Sequence, residues 1–333
     1  MLKNQAIRIV KRPVGIPSAE NFRKVSLDIP ALADGQILVK NEWLSVEPAM
    51  RGWLADANNY ASVNVGEIMR SLCVGVVVAS MADEYQVGER LLGWFGWQEY
   101  AVVGPTAIIQ RIESAELPAS LYLGVLGLNG VTAATALDKI AELKHGDVVV
   151  VSTAAGGVGS CAGQLAKLKG CRVVGLTSTP AKVKTCYERF GYDHVINYKT
   201  EDIDAALKKA CPDGVNVYFD NTAGGISDAV MRNLAIGARV IICGTASIAS
   251  WDPVPLGPRA ERIILTRRAR VQGFIVLDHQ DTYSTYVAQL EALVRAGKLS
   301  YEEHITDGLD SAMNAIAELY RGENVGKRLV RLA

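Results

Sequence analysis

The sequence lacks the features that mark membrane-bound, secreted and polyanion-binding proteins. Its 35 basic and 35 acidic residues balance, so the charge indicates neither a nucleic acid nor a membrane surface as a partner. It has no run of about 18 uninterrupted apolar residues, the length needed to span a bilayer. The basic N-terminus has no apolar block of the kind found in signal peptides. We therefore expect neither a nucleic acid nor a membrane as a partner, and the scattered cysteines indicate a cytoplasmic protein.

Cysteine and histidine are also sparse. The six cysteines show no paired spacing that would predict disulfides or a zinc site; they are Cys73, Cys161, Cys171, Cys186, Cys211 and Cys243. Scattered cysteines of this kind are typical of reduced thiols. The first 140 residues hold one cysteine and no histidine. Because zinc needs three or four convergent Cys, His or acidic ligands, we expect no metal site there.

The informative stretch lies between residues 147 and 174, where a strand leads into a glycine-rich turn and a helix. The run Val148–Ser152 has no helical period and is typical of a parallel strand covered on both faces. The turn reads Ala154-x-Gly156-x-x-Gly159, the dinucleotide-binding pattern with alanine at the first glycine. Gly156 would let the backbone approach a pyrophosphate, and Gly159 would let the helix pack closely on the strand. A tight turn without a ligand is the alternative.

The end of the next strand predicts which dinucleotide binds. An NAD site has an acidic residue about 20 positions after the glycine turn, which binds the ribose hydroxyls. Residues 175–182 contain no acid but include Ser178 and Lys182. A hydroxyl and a lysine suit a 2′-phosphate, which a carboxylate would repel. We predict NADPH in preference to NADH, although a solvent-exposed helix lysine would look the same in sequence.

The order of the elements predicts an α/β fold with two domains. Before residue 125, short alternating strands between turns favour a compact β-rich domain. After residue 147 strands and helices alternate, as in a doubly wound parallel sheet of the Rossmann type. Further strands are predicted at 195–198, 215–221, 238–244, 270–276 and 328–332, and helical segments at 120–143 and 283–296. Since ligands bind outside the carboxyl ends of such strands, the residues that follow them should line one crevice.

Several segments, in order along nearly the whole chain, carry a resemblance to a known family. They are 46–51 (VEPAMR), 96–100 (GWQEY), 154–159 (AAGGVG), 164–170 (QLAKLKG), 197–200 (NYKT), 218–221 (YFDN), 243–244 (CG), 273–276 (GFIV) and 324–327 (NVGK). With them the chain resembles the zinc-free branch of the medium-chain dehydrogenase/reductase superfamily. Within that branch it is similar to the leukotriene hydroxydehydrogenase/prostaglandin reductase family, with its alkenal double-bond reductases and curcumin reductases.

The resemblance implies a GroES-like β-rich catalytic domain, from residues 1–125 and 298–333, and a Rossmann NADPH-binding domain of residues 126–297. It implies NADPH as the cofactor, with Lys182 and Tyr198 at the 2′-phosphate and Thr132 near the nicotinamide. The other positions that the family match places along the cofactor are Gly156, Gly157, Val158, Gly159, Asn221, Cys243, Gly244, Thr245, Ser247, Phe274, Ile275, Val276 and Asn324. It also implies a homodimer that pairs through an exposed edge strand at 271–276.

The implied chemistry is conjugate reduction. Without a zinc ion to polarise an alcohol or ketone, interconversion of those two is disfavoured. The implied reaction is hydride transfer from NADPH to the β-carbon of an α,β-unsaturated aldehyde or ketone. Negative charge then develops on the carbonyl oxygen, where a hydrogen-bond donor stabilises the transition state. Two alternatives stay open: an NADPH quinone oxidoreductase of the same superfamily, and a non-catalytic NADPH-binding protein.

The proton donor departs from the family pattern. Many relatives carry a tyrosine shortly after the Cys-Gly of the fifth strand and a Pro-Tyr-Met-Arg motif near residue 50. This chain has no tyrosine at 245–251 and has Ala49 in that motif. Tyr60 resembles the tyrosine proposed as proton donor in the curcumin-reductase branch, and an exposed loop tyrosine is the alternative. The loss of two pocket tyrosines also favours a roomier pocket that accepts bulky enones.

The hypothesis for Tyr60 can be tested by substitution. If its hydroxyl delivers the proton, Tyr60→Phe will lower turnover by about 10-fold to 1,000-fold, the usual size of a general acid–base contribution. Steady-state kinetics with NADPH and an enone measure the effect. Turnover equal to that of the unchanged protein removes Tyr60 from the mechanism.

Overall fold

The computed structural model describes residues 2–55, 62–114, 116–248, 250–251 and 253–332. Contacts between Cα atoms divide the chain into two compact units, Met1–Leu123 with Glu303–Ala333, and Gly124–Glu302. The division expected from the sequence, 1–125 with 298–333 and 126–297, lies within about five residues of these bounds. No helix of the described ranges has the length and apolar character needed to cross a bilayer.

The strands of the described residues are β1 (Lys3–Ile9), β2 (Phe22–Asp28), β3 (Ile37–Ser45), β4 (Cys73–Ser80), β5 (Arg90–Gly93), β6 (Tyr100–Val103), β7 (Ile108–Arg111), β8 (Val148–Ser152), β9 (Arg172–Thr177), β10 (His194–Asn197), β11 (Val215–Asp220), β12 (Leu234–Ile242), β13 (Arg270–Gly273), β14 (Glu303–Asp307) and β15 (Lys327–Arg331). The α-helices are α1 (Met50–Ala55), α2 (Leu128–Thr135), α3 (Gly157–Leu168), α4 (Pro180–Glu188), α5 (Ile203–Ala210), α6 (Gly224–Arg232), α7 (Glu261–Arg267), α8 (Tyr283–Arg295) and α9 (Ala312–Arg321).

The first unit is β-rich and is built from both ends of the chain. Its larger sheet has the order β14-β15-β3-β4-β5-β7, with β6 paired to β3, and β1 pairs with β2. The predicted C-terminal strand is confirmed, because β15 pairs antiparallel with β3 from the N-terminal part. Inward-facing residues such as Ile7, Leu44 and Trp97 are fully buried and form its core. Trp97 therefore fills the core of this unit.

The second unit contains a six-stranded parallel sheet, in the order β10-β9-β8-β11-β12-β13. Its central strand β8 has helices on both sides, and Val149, Val150 and Val151 are fully buried, as expected for a strand covered on both faces. The chain runs outwards from β8 to β10 and then returns to build β11 to β13 on the other side. This reversal between β8 and β11 is the switch point at which such sheets bind ligands. The predicted α/β fold class is confirmed.

Two local predictions need correction. The sixth parallel strand ends at Gly273 rather than 276, and the chain enters a 3₁₀ helix at Val276–Thr282. The helical region predicted at 120–143 is interrupted: it comprises a 3₁₀ turn at Ala119–Leu123, α2, and a π-helical turn at Ala136–Ala141. Apolar periodicity locates helical character well, but it does not distinguish α from 3₁₀ or π hydrogen bonding.

Candidate cofactor site

The carboxyl ends of the six parallel strands lie at one edge of the sheet. Register pairs Ser152 with Leu176, Thr177 with Asn197, and Ile242 with both Asp220 and Gly273. The predicted cofactor-binding residues Ser178, Tyr198, Asn221, Cys243 and Phe274 each follow directly after one of these strands. The structure therefore brings these five positions to the same edge, as the sequence predicted.

The glycine turn between β8 and α3 is shaped by backbone contacts that leave no room for side chains. Thr153 has a positive φ of 55°, and its carbonyl oxygen accepts the N–H of Gly156 at 2.8 Å. A Cβ at Gly159 would lie 2.2 Å from that same oxygen, and one at Gly156 would lie 2.8 Å from Thr153 Cγ2. Both glycines are thus required for the helix to begin directly against the strand end.

Helix α3 presents its N-terminus at this turn without a side-chain cap. The N-cap is Gly156, which has no side chain to offer, and the helix begins at Gly157. The first N–H groups of a helix have no partner within it and carry the positive end of the helix dipole. Together with the missing Cβ atoms, this makes residues 156–159 a backbone cradle of the kind that holds a pyrophosphate.

A tyrosine that sequence reasoning missed holds this turn in place. The hydroxyl of Tyr192 donates to the carbonyl oxygen of Gly159 at 2.8 Å, and its ring packs where a Cβ at Gly163 would lie, 2.2 Å from Cζ. Burial raises the pKa of the Tyr192 hydroxyl well above its usual value, so it stays a donor. The glycine inside the helical pattern at 163 was the only sequence signal for this close approach.

The part of the site predicted to receive a 2′-phosphate includes Lys182 and Tyr198, which follow the neighbouring strands β9 and β10. Lys182 is largely buried in α4, and burial lowers the pKa of its amine. Tyr198 donates its N–H to Thr177 at the end of β9, and Lys199 Nζ lies 5.9 Å from the centre of its ring. Sequence reasoning had not assigned Lys199 to the site. An anion would stabilise the charged form of Lys182 against its burial.

On the other side of the switch point, a buried carboxylate organises the loop after β11. One oxygen of Asp220 accepts from the Tyr218 hydroxyl and from the N–H groups of Thr222 and Ala223, each at 2.9 Å. The other accepts from the Ser227 hydroxyl at 2.6 Å. These bonds hold Ala223 at a positive φ of 58°, which is uncommon for a residue with a Cβ. The carboxylate thus fixes the turn rather than facing outwards to a ligand.

Two predicted cofactor residues use their side-chain donors to hold backbone carbonyl groups of this edge. Asn221 Nδ2 donates to the carbonyl oxygen of Ser152 at 2.8 Å. The hydroxyl of Ser247 lies 2.8 and 2.9 Å from the carbonyl oxygens of Thr222 and Ala223. Both side chains are loop anchors in this structure. Their contact with a cofactor stays a prediction, and it would use the Asn221 oxygen or backbone groups.

The remaining predicted residues of this edge are placed as follows. Gly244 lets its strand end approach Asn221, because a Cβ there would lie 2.9 Å from the Asn221 carbonyl oxygen. Burial, with a contribution from Asp220, raises the pKa of the Cys243 thiol to about 12, so the thiol is neutral. Phe274 and Val276 are buried, Thr245 is partly exposed and Ile275 is exposed. Thr132 donates its hydroxyl to the Leu128 carbonyl oxygen at 2.6 Å.

Two predicted residues lie outside the described part of the second unit. Asn324 belongs to the β-rich unit, where its Nδ2 donates to the Gly326 carbonyl oxygen at 2.8 Å, and its contact with a cofactor stays a prediction. Tyr60 lies outside the described residues, so its proposed role stays a prediction from sequence. Among the residues that are described, no group of three or more His, Cys, Asp or Glu side chains could hold a metal ion.

Comparison with known proteins agrees with this arrangement. Residues 5–110 match the family model described as the N-terminal domain of oxidoreductase, and residues 157–292 match the one described as zinc-binding dehydrogenase. The chain is 42% identical to the putative NADP-dependent oxidoreductase YfmJ of Bacillus subtilis, over 99% of this chain and 98% of that protein. It is 35% identical to the NADPH-dependent curcumin reductase of Escherichia coli, over 99% of this chain and 97% of that protein.

A solved structure of a similar protein has the same fold over its whole length. The crystal structure of CurA from Vibrio vulnificus in complex with NADPH superposes with a TM-score of 0.93 at 37% identity, covering 99% of each chain.

The lysine of α4 provides a direct test of the site. Lys182→Ala removes the cation predicted at the 2′-phosphate, and we expect the NADPH-to-NADH ratio of kcat/KM to fall by about 10-fold to 100-fold, the size of a lost charge-assisted hydrogen bond. Steady-state kinetics with each cofactor give this ratio, which is insensitive to a general loss of folded protein. Lys184→Ala is the matched control, because Lys184 lies on the same helix but is exposed and paired with Glu188. An unchanged ratio for Lys182→Ala contradicts the assignment.

Proposed function

The chain belongs to the zinc-free medium-chain dehydrogenase/reductase family, and we propose that it uses NADPH to reduce the C=C bond of α,β-unsaturated aldehydes and ketones. Relatives at 42% and 35% identity cover 99% of the chain, which establishes the membership. The observation that carries the proposal is the uncapped helix N-terminus at residues 156–159, with Lys182 in the first turn of α4, which follows the neighbouring strand β9. This edge has the glycine cradle and the cation that NADPH requires.

The chemistry divides between the cofactor and the protein. When bound, NADPH supplies a hydride. The backbone N–H groups at the start of α3 would hold the pyrophosphate, and the anchored loop around Asn221 would limit where the rest of the cofactor can lie. A fixed geometry of this kind lowers the entropic cost of bringing the reacting carbons together. The protein must also place a hydrogen-bond donor at the carbonyl oxygen of the substrate, where negative charge develops.

We keep Tyr60 as the proposed proton donor, on the sequence argument alone.

The substrates we propose are bulky enones as well as small alkenals. Ala49, which stands where relatives carry a tyrosine, is exposed in the β-rich unit, and a methyl group there leaves more space than a phenol. The curcumin reductase relative is named for a bulky enone of this kind, which supports the proposal.

A substrate panel tests the reaction class. We expect NADPH consumption with a 2-alkenal and with a bulky aryl enone, each giving the saturated carbonyl compound, because hydride adds to the β-carbon of a conjugated system. A saturated ketone should give no consumption. Absorbance at 340 nm measures the rate, and mass spectrometry identifies the product. Turnover of a quinone alone would identify the quinone oxidoreductase alternative, and tight NADPH binding without any turnover would identify a non-catalytic protein.

We also propose that the chain forms a homodimer through β13. This strand is the last of the parallel sheet, and among the described strands it pairs on one side only, with β12. All four of its residues are exposed, including Val271. An exposed strand edge leaves unpaired N–H and C=O groups that a second copy can satisfy.

Light scattering tests the dimer. We expect a mass of twice the 35.8 kDa of one chain. Val271→Lys should shift the population towards monomer, because a charged side chain on an edge strand opposes edge-to-edge pairing. The control is Val87→Lys, which changes an exposed valine outside the strands. A monomeric unchanged protein rejects the proposal.

A further inference from the structure

Asn129 has an unusual environment for a polar residue. It is the second residue of α2 and only 7% of it is exposed. Its Oδ1 is buried with no hydrogen-bond partner. Buried side-chain amides are almost always hydrogen-bonded, since an unpaired one loses its bonds to water without replacement. The side chain therefore has both an acceptor and donors to offer a ligand.

The amide of Asn129 lies directly beside the start of α3. A Cβ at Gly157 would be 3.2 Å from Asn129 Nδ2 and 3.3 Å from its Cγ. Gly157 is the first residue of the uncapped helix, in the turn that forms the pyrophosphate cradle. The glycine at 157 thus gives the amide room to lie beside the first residue of α3.

We propose that Asn129 is a further NADPH-binding residue, which donates from Nδ2 to an oxygen of the pyrophosphate held at the N-terminus of α3. This inference rests on the proposed cofactor. A phosphate oxygen accepts from the amide nitrogen, and a neighbouring ribose hydroxyl can donate to Oδ1. The phosphate–ribose unit of a dinucleotide thus supplies an acceptor for Nδ2 and a donor for the unpaired Oδ1.

A purely structural role fits the contacts less well. A structural asparagine at a helix start usually caps it by accepting an N–H, but neither α2 nor α3 has a side-chain cap. Nearby Thr132 shows the alternative, because its hydroxyl is bonded within its own helix. If Asn129 binds the cofactor, its unpaired amide lowers the stability of the free protein and strengthens NADPH binding. If its role is structural, replacing it lowers the stability of the free protein and leaves NADPH binding unchanged.

The experiment measures NADPH affinity by isothermal titration calorimetry and the melting temperature of the free protein. We expect Asn129→Leu, which has a similar size, to weaken NADPH binding by about 10-fold or more through the lost hydrogen bonds. The melting temperature of the free variant should equal or exceed that of the unchanged protein, because the unpaired buried amide is gone. Asn129→Asp should weaken binding further, by about 100-fold, because a carboxylate repels the pyrophosphate.

Thr135→Val is the matched control. Thr135 is fully buried in the same helix with an unpartnered hydroxyl, but six residues of rise, about 9 Å, separate it from Asn129. We expect its NADPH affinity to stay within about twofold of the unchanged protein. If Asn129→Leu does not fold, Asn129→Asp, which preserves shape, decides the question.

The proposal is overturned if both Asn129 variants bind NADPH as the unchanged protein does, or if Thr135→Val loses as much affinity as they do. Because titration requires no turnover, the result is independent of the reaction. An unchanged protein that binds NADPH but reduces no enone refutes the proposed function and leaves this test intact. An unchanged protein that does not bind NADPH overturns both.

Discussion

The dinucleotide site depends on the distance between the end of β8 and the first turn of α3. A Cβ at Gly159 would sit 2.2 Å from the Thr153 carbonyl oxygen, so any other residue would push the helix away. Thr153 itself adopts a positive φ to make the turn, which is costly for a β-branched residue. Tyr192 adds a second contact to the same region, because its hydroxyl donates to the carbonyl oxygen of Gly159. The close approach brings the helix N–H groups to the sheet edge, where they can meet an anion.

At the end of β11, on the other side of the switch point, the sheet edge carries a negative charge instead of N–H groups. Asp220 is a fully buried carboxylate within a site that is to bind a polyanion, which would be unfavourable if its charge faced the ligand. Its two oxygens instead accept hydrogen bonds from hydroxyls and N–H groups of its own strand and loop. The charge is thereby compensated locally, and the same bonds hold Ala223 in its strained conformation. Asp220 therefore serves the structure of the loop, whereas the N–H groups at the start of α3 stay available for a ligand.

The sequence was sufficient for what depends on local pattern and failed for what depends on distant contacts. The βαβ unit and the residues that follow each parallel strand could be read from apolar runs and glycine spacing. The contacts of Tyr192 with Gly159, and of Asn129 with Gly157, join residues about 30 positions apart in different elements. No periodicity reports such pairs. Strand β13 is shorter than predicted: the apolar residues at 274–276 continue the strand pattern, but pairing with β12 ends at Gly273 and a 3₁₀ helix begins at Val276.

The cysteines connect these features with the proposed chemistry. Conjugated carbonyl compounds react with thiolates rather than thiols, so a protein that binds them benefits from cysteines that stay protonated. Burial raises the pKa of the Cys73, Cys161, Cys186 and Cys243 thiols to about 12 and that of Cys211 to about 11. Cys243 follows β12 at the cofactor edge, and the negative charge of Asp220 adds to the effect of burial there. The carboxylate that fixes the loop therefore also helps to keep the nearest thiol unreactive.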